Sequence, residues 1–420
     1  MIVDVTRNTH EVEATVERFH RRSLEYFDRE SNGSSGLVAD SNTVGSRSSI
    51  AGTGFGLAAN LVAAERGGIS RAEAARRTLK ALRFLTSSPE SSEHGFFYHF
   101  LHPDTGERAG KCEISTIDSA LLFAGALAAS QYFDDAGKEE QEIRTLGENL
   151  YLNADWSWAS PRAPVISHGW TPEKGFLRYD WRGYNEALLL YILALGSPTY
   201  SVSASAYDGW LASYKWKSIY GYELLYAGPL FIHQMAHAWI DFRGIADTYM
   251  RGRDTDYFEN SRRATYVQRE YAMRNPRGLA GYGENCWGVS ASAGPAKGRF
   301  YGYRARGVPF GPDDGTISPL AAAASLPFAP EIVLPAMRHM ERTSFASSDE
   351  TECAPCFNAT YSVGDRVWTA SHTFAIDEGA VALMLENYRS GLIWNLLKRS
   401  PHVRRGLERA GFSGGWLEEG

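Results

Sequence analysis

Three stretches decide how this chain folds: Ile117-Asp118-Ser119-Ala120-Leu121-Leu122, Asn185-Glu186-Ala187-Leu188-Leu189 and Asp377-Glu378-Gly379-Ala380-Val381-Ala382. Each sets a carboxylate at the start of an almost wholly apolar helix. A helix that is apolar on every side has no face to offer water, so it belongs inside a layer of other helices. The three therefore predict inner helices, shielded by amphipathic ones such as 258–275. An acid at a helix start has an ordinary use, because it caps free N–H groups and opposes the positive end of the macrodipole. Three of them brought to one end of an inner layer also have the makings of a site.

Outward from these stretches, spacing near 3.6 residues predicts helices over 9–30, 53–66, 70–86, 115–133, 138–152, 184–195 and 229–249. It predicts more over 258–275, 317–326, 329–342, 377–388, 391–399 and 401–411. No alternating run is long enough for a large sheet. The expected fold is all-α, an (α/α)6 toroid of inner and outer helices. Long loops dense in Gly, Pro, Trp and Tyr (94–112, 154–183, 200–227, 278–315 and 344–375) would form the walls of a site over one face. No linker or composition step divides the chain, so residues 1–420 are expected to form one domain.

Composition narrows the function. The 420 residues are 44% hydrophobic and 13% aromatic, which fits a globular chain. A net charge of -6 gives no basic surplus for nucleic acid. No charged segment followed by an apolar one opens the sequence, and the longest apolar stretch, Ala120 to Ala129, is too short to span a membrane. A cytoplasmic location is the expectation. Cys112, Cys286, Cys353 and Cys356 are too few and too dispersed for a disulfide framework, and Cys353-Ala354-Pro355-Cys356 is a CxxC without a second pair. His233 and His237 lie four apart but lack the glutamate of HExxH, so no metal is expected. No cofactor is expected either. Gly52-Thr53-Gly54-Phe55-Gly56 lacks the ending of a phosphate loop and suits close helix packing, and no GxSxG elbow is present. Asn32-Gly33-Ser34 and Asn358-Ala359-Thr360 match the glycosylation pattern, and with no secretion signal read in the sequence they are expected to be chance matches.

The loops before the acidic helix starts carry the chemistry. They read His94-Gly95-Phe96-Phe97-Tyr98-His99-Phe100, His168-Gly169-Trp170 and Phe176-Leu177-Arg178-Tyr179-Asp180-Trp181-Arg182-Gly183-Tyr184-Asn185-Glu186. Flat aromatic faces beside carboxylates suit sugar rings, and glycosidic cleavage needs one carboxylic acid and one carboxylate. The acid must stay protonated near neutrality, which apolar burial achieves. Glu186, beside Tyr184 and leading into Ala187-Leu188-Leu189-Leu190, meets that condition. Asp118 and Glu113 are both candidates for the base. Tyr98, His99, His168, Trp170, Tyr179, Asp180, Trp181, Tyr184, Glu223, Gln234, Trp287 and Asp313 are expected to bind the glucan or oligosaccharide. The competing class is a carbohydrate-binding toroid whose acids only hydrogen-bond sugar hydroxyls; buried acids are costly unless paired or used, which favours an enzyme.

Thr53-Gly54-Phe55-Gly56-Leu57-Ala58, Gly95-Phe96-Phe97-Tyr98-His99-Phe100, Glu113-Ile114-Ser115-Thr116-Ile117-Asp118, Tyr184-Asn185-Glu186-Ala187, Gly228-Pro229-Leu230-Phe231-Ile232-His233-Gln234 and Gly311-Pro312-Asp313-Asp314-Gly315 together resemble the bacterial glucoamylase-like domain. That group includes the endo-β-1,2-glucanases of glycoside hydrolase family 144 and a domain of cyclic β-1,2-glucan synthases. The resemblance runs from about residue 10 to 400. It implies an (α/α)6 barrel and, for the hydrolases, inverting cleavage of β-1,2-linked glucan, with the acid on Glu186 and other essential acids between Glu113 and Asp118. Transglycosylation and exo-hydrolysis of α-glucan are the alternatives on the same fold.

Overall fold

The computed structural model describes residues 2–295, 302–343, 354–363 and 366–418. Among these residues the apolar runs give fourteen helices. They are α1 (Ile2–Arg29), α2 (Ile50–Glu65), α3 (Arg71–Ser87), α4 (Thr116–Tyr132), α5 (Lys138–Leu152), α6 (Leu188–Gly196) and α7 (Ser205–Leu211). The chain continues through α8 (Thr248–Arg251), α9 (Tyr257–Arg274), α10 (Pro319–Ala323), α11 (Pro330–Arg342), α12 (Ala375–Arg389), α13 (Leu392–Lys398) and α14 (Pro401–Arg409). The strands are short and form sheets of two or three. The expected helix-rich fold is what the structure has.

Burial separates two kinds of helix. Every residue of α6 is buried, and burial runs nearly unbroken along α2, α4 and α12. By contrast α3, α9 and α14 bury one stripe and give the other to solvent. The buried helices pack as a row, α10 on α12, α12 on α2, α2 on α4 and α4 on α6, while α1, α3, α5 and α14 cover them. Glycines permit the closest approaches. A Cβ on Gly54 would sit 2.4 Å from the Leu121 carbonyl oxygen, and one on Gly406 would sit 2.0 Å from that of Ile192. Gly52-Thr53-Gly54-Phe55-Gly56 is thus helix packing, as its sequence suggested.

Short strands lace the starts of the buried helices together. Ser48–Ser49 runs straight into α2 and pairs with Phe100–Leu101. Ile114–Ser115 runs straight into α4 and pairs with Trp170 and Gly169. Tyr98 bridges Ile114, and Ser41 bridges Phe374 just before α12, where the Ala375 N–H donates to the Asp40 carbonyl at 3.0 Å. Ser49 and Ser115 then cap α2 and α4 by accepting the N–H groups of Gly52 and Asp118. One end of the row is therefore a connected backbone rim.

The structure departs from the expected elements in a few places. Residues 229–249 are not one helix. They form a 3-10 turn at Leu230–His233, irregular turns to Trp239, and the short α8. The physical reason is competition for carbonyls, since Trp394 Nε1 donates to the His237 oxygen at 2.6 Å and Asn387 Nδ2 to that of Ala238 at 2.9 Å. The helix expected from 184 begins at Leu188, because Asn185 Oδ1 accepts the Ala187 N–H in a local turn. A hairpin, Trp216–Ile219 with Tyr222–Leu225, occupies part of a predicted loop. Cys353 and parts of the 278–315 and 344–375 loops lie outside the described residues.

Candidate active site

The laced rim surrounds a cavity of about 980 Å3. Glu113, Asp118 and Glu186 all line it, as does His99, so all three predicted catalytic acids and one predicted binding residue meet there. Asp118 and Glu186 are delivered by helix starts. Asp118 stands in the first turn of α4, where Ser115 Oγ accepts its N–H and donates to its Oδ2. Glu186 stands two residues before α6. Glu113 and His99 come from the strands feeding α4 and pairing near α2, and the His99 N–H donates to the Glu113 carbonyl at 2.9 Å.

One wall is a charged relay. His99 Nδ1 donates to Glu113 Oε1 at 2.9 Å, and His99 Nε2 lies 3.6 Å from Asp118 Oδ1. Burial disfavours the imidazolium, yet the charges of Asp118 and Glu113 outweigh it and raise His99 above its usual value. Burial likewise pulls Glu113 up, but the hydrogen bond and charge of His99, with Arg47 assisting, hold its carboxyl below the usual range. Glu113 is thus an ionised carboxylate, and its side chain is 30% exposed against 9% for Asp118. Glu186 is the opposite case. Burial pushes its carboxyl up to about 7, and the Asp118 charge adds to the rise.

The cavity lining also holds residues that the sequence reading did not select as site residues: Asp40, Arg47, Tyr303 and Asp377. Burial, followed by the charges of Glu378 and Asp40, raises Asp377 far above the carboxylate range. Burial also raises Asp40, against the opposing charges of Arg47 and His99. Asp377 was legible as one of the three acidic helix starts. Asp40 and Arg47 lie in an unremarkable stretch, carried to the rim by the bridge from Ser41 to Phe374 and by the pairing of Ser48 with Leu101.

Most predicted sugar-binding residues lie outside the cavity lining. His168 stacks on Trp181 at 3.8 Å, and Trp181 Nε1 donates to Thr116 Oγ1 at 3.0 Å, so this pair braces the start of α4. Trp170 packs on Trp158, Tyr98 lies beneath the Arg108 guanidinium, and Asp180 pairs with Arg162 at 2.6 Å. Tyr179 is exposed. Tyr184 packs among Tyr214, Tyr257 and His233. Gln234 is buried and donates to the Ala321 carbonyl and Ser325 Oγ. Trp287 is buried. Asp313 accepts from Tyr271 at 2.8 Å and Tyr282 at 2.6 Å, which makes it a structural anchor, and Glu223 is exposed on the hairpin. Sequence adjacency to an acid did not separate aromatics that build the rim from groups that face the cavity.

His233 and His237 have separate partners, the Ala227 carbonyl and Ser261 Oγ, and burial lowers them to about 4 and about 3. An acidic cluster of Asp134, Asp135 and Glu140 is occupied by Arg71, which reaches Glu140 at 2.8 Å and Asp134 at 3.1 Å. No helix among the described residues is long and apolar enough to cross a membrane.

Known proteins bear on this geometry. The sequence model of the Glycoamylase family, described as "Putative glucoamylase", matches residues 178–401. A curated exo beta-1,2-glucooligosaccharide sophorohydrolase (non-reducing end) from Parabacteroides distasonis is 29% identical over 94% of this chain. The chain spans 58% of that relative's length. A crystal structure from Bacteroides uniformis, given the same description as the family, is 33% identical, with a TM-score of 0.88 over 97% of this chain and 99% of that one. An endo-beta-1,2-glucanase from Chitinophaga pinensis, solved with sophorotriose and glucose, is 29% identical, with a TM-score of 0.87 over 97% of this chain and 99% of that one. With a family model covering more than half of its length and a relative 33% identical across nearly all of it, this chain belongs to the bacterial glucoamylase-like family.

Proposed function

We propose that the chain is a glycoside hydrolase that cleaves β-1,2-linked glucan or its oligosaccharides by an inverting, two-carboxylate mechanism. The observation that carries this reading is one cavity holding two carboxyl groups in opposite protonation states, Glu186 raised to about 7 and Glu113 held low. That division is what protonating a leaving oxygen while activating water demands. In this reading Glu186 donates the proton to the glycosidic oxygen. Glu113, an ionised carboxylate and the more exposed of the two base candidates, takes the proton of the attacking water. Asp118, sealed by Ser115, holds His99 in place beside it. The β-1,2 linkage follows from the named activities of the Parabacteroides and Chitinophaga relatives.

The same reading includes an α/α toroid in one domain. It is supported by the row from α10 to α6, by the turns at 230–239 that pack against α9 and α10 where a further inner helix would stand, and by a hydrophobic core reaching from Val16 to Trp416.

Incubation with linear β-1,2-glucan, sophorooligosaccharides and soluble starch tests the proposal, with products separated by chromatography and anomers followed by NMR. Short β-1,2 oligosaccharides released as the α-anomer are expected. Release of glucose from starch alone would overturn the substrate, and release of the β-anomer would overturn the inverting mechanism.

A further inference from the structure

Arg47 lines the cavity beside five acids, yet among the described residues its guanidinium donates no hydrogen bond and forms no ion pair. An arginine present only to balance Asp40 or Glu113 would pair with one of them. Instead its guanidinium carbon lies 3.2 Å from the centre of the Phe100 ring, so one face is covered and the N–H groups along the edge are unspent. The backbone beneath it is fixed. The Asp40 N–H donates to the Arg47 carbonyl at 2.8 Å, Ser46 Oγ does so at 3.2 Å, and Ser48 next door is paired with Leu101. A planar fork of donors held this way is pre-organised for two acceptors on one side of a ligand.

We infer that Arg47 is a specificity-determining residue whose fork grips two adjacent hydroxyl oxygens of one glucosyl unit. The inference rests on the glucan-hydrolase reading above. Linkage chemistry gives it content. An internal 1,2-linked unit keeps its 3- and 4-hydroxyls, which are neighbours, whereas an internal 1,3-linked unit keeps only hydroxyls that are not. Arg47 therefore helps the cavity to accept 1,2-linked chains and refuse 1,3-linked ones.

Titration calorimetry on Glu186→Gln protein, with sophoropentaose and laminaripentaose as probes, tests this without turnover. Adding Arg47→Gln or Arg47→Lys is expected to weaken sophoropentaose binding by about tenfold or more and to change laminaripentaose binding much less. In the catalytically intact chain the same substitutions are expected to raise KM for β-1,2-glucan more than they lower kcat. Arg47→Lys keeps the charge and a long stem over Phe100, so full affinity in that variant would reduce Arg47 to a point charge and overturn the inference. An equal loss for both sugars would also overturn it. If Glu186→Gln protein binds neither sugar, the glucan reading itself falls, and the role of Arg47 falls with it.

Discussion

Two groups of acids in the lining of one cavity are built from the same residue class and end in opposite states. In the first, Glu113 and Asp118 flank His99, and a cation within hydrogen-bond reach keeps Glu113 ionised. In the second, Asp377 has Glu378 and Asp40 as its charged neighbours and is driven toward its neutral form. Burial is the largest push on both and is deeper at Asp377, where like-charged neighbours add to it; at Glu113 the imidazole outweighs it. An acidic helix start is therefore a placement device, and its chemistry is assigned by whatever the rim brings against it.

That contrast can be broken by substitution. The largest effect is expected from Glu186→Gln, which keeps the shape of the side chain and removes its proton, and should lower kcat/KM on β-1,2-glucan by roughly 100- to 10,000-fold while oligosaccharide binding survives. Next comes the pH profile of kcat/KM. Activity should fall as pH rises through about 7, where Glu186 loses its proton. On the acid side it should fall only below the ordinary glutamate range, because Glu113 is held low. His99→Gln removes the cation and should move that acid limb upward. A limb that stays in place would dissolve the distinction between the two groups of acids.

A smaller effect concerns stability. The raised carboxyl of Asp377 binds its proton more tightly folded than unfolded, so the folded state loses stability as pH climbs from the ordinary aspartate range toward the raised value. Asp377→Asn should therefore raise the thermal midpoint at neutral pH by a few degrees and do little near pH 3, as calorimetry can check. The smallest expected effect is that of Glu223→Gln. This side chain is exposed on the hairpin and does not line the cavity, so KM and the thermal midpoint should stay within error.

Much of this was legible in the chain because helical periodicity is local. The starts and ends of α2 to α5 fall within a few residues of the sequence expectation, and the apolar runs after Asp118, Glu186 and Asp377 correctly marked buried helices. Glu186 was legible as a raised acid because its apolar neighbours adjoin it in sequence. Asp40 and Arg47 were not, since their place depends on pairings with Leu101 and Phe374, the latter more than three hundred residues away. The binding residues proposed for aromatic company were the least legible. Trp181, Tyr184 and Trp170 are close to the acids in sequence, but packing spends their faces on His168, Tyr257 and Trp158.

The laced rim has a consequence for how such a chain diversifies. Asp40, Glu113 and Asp118 each lie within a few residues of a main-chain ladder, so their mutual spacing is written in backbone and not in the loops beyond. Loops farther out, such as the turn carrying Val44 at the cavity mouth, can lengthen, shorten or change composition without moving those carboxylates. The mouth is thus the editable part of the molecule. Chain-length preference and mode of attack can drift there while the reacting groups stay where the ladders hold them.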